Sequence, residues 1–132
     1  GLNLSRLKIL ASTGEPWDDE SWLWFFNTVG NGRLPIVNIS GGTEVGACFL
    51  SPHPITQLKP KSLGGPSLGM DVDVFDADGK PVVGQVGELV CKQPWPGMTR
   101  GLFKAGGLFE ETYFSTFPGI WRHGDLAIKN ED

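Results

Sequence analysis

The chain has 132 residues, a net charge of −4, and 39% hydrophobic and 20% charged residues. Its Lys and Arg residues are scattered, which argues against a dedicated binder of nucleic acid or of an anionic membrane surface. No apolar run reaches the ~20 residues that a membrane span needs. Cys48 and Cys91 lie far apart in no metal-like pattern, so we expect reduced thiols and a cytoplasmic location.

The first part of the chain is typical of a strand–helix–strand unit. The stretch "LKILAST", residues 7–13, is apolar and ends in small polar residues, as a buried strand that enters a loop does. A helix is predicted after "GEP" because apolar residues recur with helical spacing, at Trp22, Phe25, Phe26 and Val29. "RLPIVNIS", residues 33–40, predicts a second strand. The short connections favour a parallel strand pair.

Beyond residue 50 the pattern becomes β-rich. Residues 51–69 are rich in proline and glycine and predict an extended loop. "MDVDVFD" then alternates and predicts a strand with Met70, Val72 and Val74 on one face and Asp71, Asp73 and Phe75 on the other. "DADG" predicts a turn into a second strand, "VGELVCK". "FEETYF" predicts one helical turn, and residues 119–132 return to a strand pattern that is interrupted at Gly124.

The stretch "NISGGTEVG", residues 38–46, places two glycines directly before Thr43 and Glu44. Glycine lets a ligand approach the main chain closely, and a hydroxyl and an acid after such a bend can hold an anion and a metal ion. A surface turn is the alternative interpretation of these residues alone. The glycine spacing does not fit a dinucleotide-binding fingerprint. The acids of "DVDVFDADG" do not have the spacing of a calcium-binding loop.

Four motifs follow one another along the chain. They are "STGEPW", "NISGGTEVG", "GELVCKQPWPGMTRG" and "EETYFSTFPGIWRHGDLA". This succession resembles the adenylate-forming (AMP-binding) acyl-CoA synthetases, and its later part is most similar to the acetyl-, short- and medium-chain acyl-CoA synthetase branch. The resemblance implies an AMP-forming acid–thiol ligase. In that family a carboxylate attacks the α-phosphate of ATP, giving an acyl-adenylate and pyrophosphate, and the thiol of coenzyme A then displaces AMP.

The resemblance also implies roles for residues of the first two motifs. Gly14, Glu15 and Pro16 match the loop that packs against adenine. Thr43 matches the threonine that hydrogen-bonds the α-phosphate, and Glu44 matches the acid that ligates Mg²⁺, so these two are the implied catalytic residues. A hydroxyl and a cation at that position would stabilise the charge that gathers on phosphorus. The other residues implied in nucleotide binding are Asn38, Ser40 and Gly42.

The last motif and the glycine pair carry two further implications. Asp125 of "HGDLA" matches the aspartate that binds the ribose hydroxyls, whereas His123 stands where the family commonly has threonine and receives no role. The acetate-specific branch carries bulky tryptophans where this chain has Ser40 and Gly41. We therefore expect Thr13 and Gly41 to line an acyl pocket for an acid larger than acetate, such as a medium-chain, branched or keto acid.

The resemblance places the chain inside the family's large N-terminal domain. It implies an α/β fold: residues 1–58 form a fragment of a layered α/β sheet domain with the adenine loop and the Thr-Glu motif. Residues 59–132 form a β-rich subdomain that ends at the ribose-binding motif. The family's phosphate loop and its small C-terminal domain do not match any part of the chain. We therefore expect these N-terminal and C-terminal parts of the parent enzyme as partners, and an inactive chain without them.

Two alternatives remain open at this point. One is another adenylate-forming ligase or an adenylation domain, which would load an acceptor other than coenzyme A. The other is a non-catalytic, β-rich module that binds sugars or peptides through its tryptophans, although that interpretation leaves the order of the motifs unexplained.

Overall fold

A computed structural model describes residues 2–131, which divide into two compact units. The first unit runs up to Thr43 and resumes with Ala47–Ser67. The second consists of Glu44–Gly46 and everything described from Leu68 onward. The α/β fold class predicted from the sequence is confirmed, whereas the functional division at residues 58/59 stays a prediction. None of the helices between residues 2 and 131 is long and apolar enough to span a membrane.

The first unit is built on a four-stranded sheet. In sheet order its strands are β1 (Leu10–Thr13), β2 (Ile36–Gly42), β3 (Ala47–Ser51) and β4 (Gly65–Pro66). β1 and β2 are parallel, as predicted, and β3 is antiparallel to both of its neighbours. The predicted loop over residues 51–69 therefore contains one short strand, and β3 was not predicted.

Helix α1 (Asp19–Trp24) connects β1 to β2 and continues as one π-helical turn, Phe25–Val29. It begins where predicted because the Asp18 carboxylate accepts a hydrogen bond from the Ser21 amide at 2.8 Å. The predicted apolar face packs against the core of the first unit. The buried members of that core are Leu10, Trp22, Leu34 and Ile36.

The second unit contains an antiparallel sheet of three strands and one helix. They are β5 (Val72–Phe75), β6 (Val86–Cys91), α2 (Leu108–Phe114) and β7 (Trp121–Ile128), with the sheet in the order β5-β6-β7. The predicted turn between β5 and β6 is present: the Asp76 carboxylate accepts hydrogen bonds from the amides of Asp78 and Lys80, both at 2.9 Å. Gly79 there has a φ of 76°, which glycine adopts without strain.

Strand β5 is covered on both faces, which the alternation of its letters did not indicate. Phe75, predicted on the polar face, is buried in a cluster with Val90 and Phe117. Asp73 is also buried, and Lys129 donates to it at 2.9 Å. Burial would raise the pKa of Asp73, but the hydrogen bond and charge of Lys129 and the nearby backbone hold it below its ordinary value. The paired charge thus allows Asp73 to lie buried in the sheet.

Strand β7 runs through Gly124, where the sequence predicted an interruption. The residues of β6 from Glu88 to Val90 face the stretch of β7 from Leu126 back to Arg122, so β7 carries two extra residues. Gly124 has a φ of 93° within this bulge. A β-bulge bends its strand and redirects side chains, and this one contains the predicted ribose-binding motif.

Candidate functional site

In the first unit, predicted ligand residues follow the carboxyl ends of the parallel strands β1 and β2. Thr13 is the last residue of β1 and pairs with Ile39, and its hydroxyl donates to the Ile39 carbonyl oxygen at 3.2 Å. β2 continues to Gly42, and Thr43 follows it. Both strands point to the same edge of the sheet, which is where open α/β sheets bind ligands.

The loop after β1 is exposed, and one hydrogen bond closes it. Gly14 has a φ of 97° and its neighbours Glu15 and Pro16 are exposed. Trp17, after the loop, donates from its indole to the hydroxyl of Ser12, before the loop, at 2.9 Å. A short loop held at both ends presents its backbone to solvent, as an adenine-binding surface requires.

The end of β2 is closely packed against β3. Asn38 is buried, and Ser40 and Gly42 are half-buried. A Cβ atom on Gly41 would lie 2.6 Å from the Ala47 carbonyl oxygen, too close for any side chain. The register of the two strands shifts between Ser40 and Gly41. Close packing of the strands therefore requires glycine at 41, and this reason is independent of the acyl-pocket role, which stays a prediction.

Glu44 belongs to the second unit, where three contacts fix the backbone of residues 44–46. The Glu44 carbonyl oxygen accepts from the Thr99 amide at 3.2 Å. The Trp95 indole donates to the carbonyl oxygen of the fully buried Val45 at 2.6 Å. Gly46 has a φ of 65°, and a Cβ there would lie 2.6 Å from the carbonyl oxygen of Gly97. We call these contacts between residues 44–46 and 95–99 the Trp95 clasp.

The Trp95 clasp gives the "QPWPGM" segment a physical function. Trp95 is 5% exposed and makes an edge-on ring contact with Trp121, with centroids 5.2 Å apart. Its indole N–H thus satisfies a buried carbonyl that has no strand partner. The result is that the backbone at Glu44 is held in place.

The bulge of β7 brings His123 and Asp125 to the same part of the second unit. The side chain of His123 is only 7% exposed. Its Nδ1 atom lies 3.9 Å from Oε1 of Glu44, and its Nε2 atom lies 3.6 Å from Oδ2 of Asp125. Two carboxylates that are far apart in sequence therefore flank one imidazole.

Aromatic rings pack beside this group. Tyr113 of α2 stacks on Trp121 with ring centroids 3.8 Å apart. Burial raises the pKa of the Tyr113 hydroxyl, and the negative charge of Glu44 adds to the effect. The phenol of Tyr113, in the "EETYF" segment, is therefore close enough to Glu44 for that carboxylate to affect its pKa.

The structure describes the predicted site residues in two groups. Glu44 and Asp125 lie together in the second unit, and the other predicted residues, Thr43 among them, belong to the first. The contacts of His123 and the position of Tyr113 were not predicted. The one sequence signal for the contact between His123 and Asp125 was their two-residue spacing, which places both residues on one face of a strand.

Glu44 is suited to a magnesium ion. Its side chain is 27% exposed and its backbone is fixed by the Trp95 clasp. Between residues 2 and 131, no three His, Cys, Asp or Glu side chains come together as a metal-binding group. Magnesium is commonly held by one or two carboxylates together with substrate phosphates and water, so a single accessible carboxylate on a fixed backbone fits that ion.

Comparison with known proteins identifies the class. Residues 2–103 match the family model of the AMP-binding enzymes, and the chain belongs to that family. It is 43% identical over 130 residues to an acetyl-coenzyme A synthetase of Aeromonas hydrophila, and 42% identical over 132 residues to one of Drosophila melanogaster. These alignments cover 97% and 98% of the chain and 20% of each relative.

A solved structure agrees with this assignment. Acetoacetyl-CoA synthetase from Streptomyces lividans superposes with a TM-score of 0.86 at 33% identity, over 96% of this chain and 20% of that one. The chain thus spans about a fifth of the length of the relatives it matches. The resemblance to the acyl-CoA synthetases predicted from the four motifs is confirmed.

Proposed function

We propose that this chain is a segment of an ATP-dependent, AMP-forming acyl-CoA synthetase. Such an enzyme activates a carboxylic acid as its acyl-adenylate and then transfers the acyl group to coenzyme A. The observation that carries the proposal is the convergence of Glu44 and Asp125 on one buried histidine. These are the residues for which the resemblance implied contacts to Mg²⁺ and to the ribose of the nucleotide.

The proposed roles follow the resemblance, and the exposure of Asp125 and Thr43 supports theirs. Asp125 accepts hydrogen bonds from the two ribose hydroxyls, and its carboxylate is 62% exposed and therefore accessible to a diol. Thr43, which is exposed, donates its hydroxyl to the α-phosphate. Glu44 holds Mg²⁺, which when bound neutralises negative charge on the phosphate oxygens. Residues 14–16 contact adenine, and the remaining nucleotide contacts come from Asn38, Ser40 and Gly42.

The activity belongs to a longer protein in this proposal. The relatives are about five times as long. Several large apolar side chains are at least 90% exposed, at Leu2, Ile55, Leu68 and Phe103, and further chain would cover them. We expect the 132 residues alone to release no pyrophosphate from ATP with any acid. Detectable acid-dependent release by the purified chain would contradict this expectation. The cytoplasmic location also stays a proposal, consistent with the free thiols of Cys48 and Cys91.

The proposed substrate is an acid larger than acetate, with a keto acid such as acetoacetate tested first. Ser40 and Gly41 support this choice because they are small where the acetate-specific branch has tryptophan. The structural relative named for acetoacetyl-CoA points the same way, whereas several other relatives are named for acetyl-CoA. A pocket separates acids that differ by one methylene by only ~1–3 kcal/mol, so a graded panel is needed.

The test is pyrophosphate release by the full-length protein with acetate, acetoacetate, butyrate and isobutyrate, with and without coenzyme A. A kcat/KM highest for an acid larger than acetate supports the proposed pocket, and acetate as the best acid refutes it. Multiple-turnover pyrophosphate release that is no faster with coenzyme A than without it refutes the thioester step and favours another adenylating ligase. Thr43→Ala is expected to lower kcat by roughly 10²–10³. Asp125→Asn is expected to raise the KM for ATP. Glu44→Gln is expected to raise the Mg²⁺ concentration needed for activity.

A further inference from the structure

We propose that His123 is a positioning residue that orients both Glu44 and Asp125. This inference rests on the proposed function, because it concerns the two carboxylates assigned there to the metal and the ribose. The family resemblance gave no role to this position. The geometry assigns one edge of the imidazole to each carboxylate.

The location of His123 makes it a fixed element between the two acids. Its side chain is almost fully buried, at 7% exposure, whereas those of Glu44 and Asp125 are 27% and 62% exposed. The bulge of β7 displaces His123 from the regular register of the sheet, and Gly124 with its φ of 93° turns the chain immediately after it. The two carboxylates therefore have freedom that the imidazole lacks.

The two ring nitrogens serve different partners. Nδ1 faces Glu44 at 3.9 Å and Nε2 faces Asp125 at 3.6 Å. These separations are longer than a hydrogen bond. The imidazole therefore acts in two ways: its bulk limits the positions that each carboxylate can take, and each ring nitrogen interacts electrostatically with the carboxylate that it faces. Residues that orient the ligands of a metal typically contribute 10–100-fold to metal affinity or activity.

A shorter side chain would not reach both carboxylates. Glutamine places its amide nitrogen near the position of Nε2, and asparagine places its amide nitrogen near that of Nδ1. His123→Gln therefore keeps a polar nitrogen toward Asp125, and His123→Asn keeps one toward Glu44. His123→Leu fills similar space and keeps neither. This set separates the ribose side of the site from the metal side.

Two measurements on the full-length protein test the inference. Calorimetry with AMP in the presence of EDTA reports the ribose side without metal or catalysis. The Mg²⁺ concentration for half-maximal pyrophosphate release reports the metal side. For His123→Leu we expect AMP binding about 10-fold weaker, as for the loss of about one hydrogen bond to the ribose, and the Mg²⁺ midpoint about 10-fold higher. His123→Gln is expected to keep the AMP affinity of wild type and to raise the Mg²⁺ midpoint. His123→Asn is expected to weaken AMP binding and to keep the Mg²⁺ midpoint of wild type.

Controls make the outcomes decisive. His53→Leu is the same change in a loop of the first unit and is expected to alter neither value. Melting temperatures of all variants exclude loss of fold; if His123→Leu is unfolded, the glutamine and asparagine variants carry the test. Values for His123→Leu within 2-fold of wild type, or identical behaviour of the glutamine and asparagine variants, overturn the inference. A wild-type protein that neither binds AMP nor activates an acid refutes the proposed function instead.

Discussion

Replacing Trp95 by phenylalanine is expected to lower the free energy of unfolding by about 2–4 kcal/mol. The change removes the indole N–H that donates to Val45 and leaves a fully buried carbonyl oxygen without that partner, which costs about 1–3 kcal/mol. Aromatic side chains bury ~150–250 Å². Exchanging indole for phenyl loses on the order of 40 Å² of that area, or about 1 kcal/mol at ~25 cal/mol per Å².

Urea titration of the full-length protein, followed by circular dichroism, measures this loss. Trp24→Phe is the matched control, since Trp24 is 58% exposed and its replacement should change stability by less than ~0.5 kcal/mol. Because the Trp95 clasp holds the backbone of Glu44, Trp95→Phe should also raise the Mg²⁺ concentration needed for activity. A destabilisation no larger than that of the control would refute the view that this hydrogen bond fixes residues 44–46.

Three other substitutions test separate features of the fold. Gly46→Ala should destabilise by about 1–3 kcal/mol more than Gly84→Ala in urea titrations, since both residues have positive φ but only the Cβ at 46 would meet a backbone carbonyl oxygen. Asp73→Asn should lower the melting temperature at pH 7. The lowered pKa of Asp73 stabilises the fold above the unfolded-state pKa of 3.8, and this contribution disappears as pH falls through the folded-state pKa, so variant and wild type should converge in acid. Gly41→Ala should melt lower because of contact with β3; an unchanged melting temperature would leave a substrate pocket as the better reason for that glycine.

The start of the fold was predictable because its determinants are local. The helical spacing of apolar residues and the acids around Asp18 define α1, and the short connections define the parallel pair. Strand β3 was not predictable in the same way. Its connection to β2 has the letters "TEVG", which lack the Asn-Gly or Asp-Gly signal of a tight hairpin and whose Thr-Glu pair indicates a ligand motif instead.

The sequence predicted candidate members of the site but not their geometry. The order of the motifs indicated Glu44 and Asp125 as candidates, because each motif keeps its residue types in sequence. The bulge of β7 depends on the register with β6, and the hydrogen bond from Trp95 to Val45 joins residues 50 positions apart. Neither is encoded in a local pattern. The same is true of the pairing of Asp73 with Lys129, which joins residues 56 positions apart.

The Trp95 clasp also limits how this segment can be recombined with its relatives. A chimera with a crossover between residues 47 and 94 would take its Thr-Glu segment from one parent and its proline–tryptophan turn from the other. A Cβ on Gly46 would lie 2.6 Å from the Gly97 carbonyl oxygen, and one on Gly97 would lie 3.1 Å from that of Val45, so a mismatch there would shift Glu44 itself. Engineered hybrids that aim to change which carboxylic acid is activated should therefore take residues 44–46 and 95–99 from the same parent.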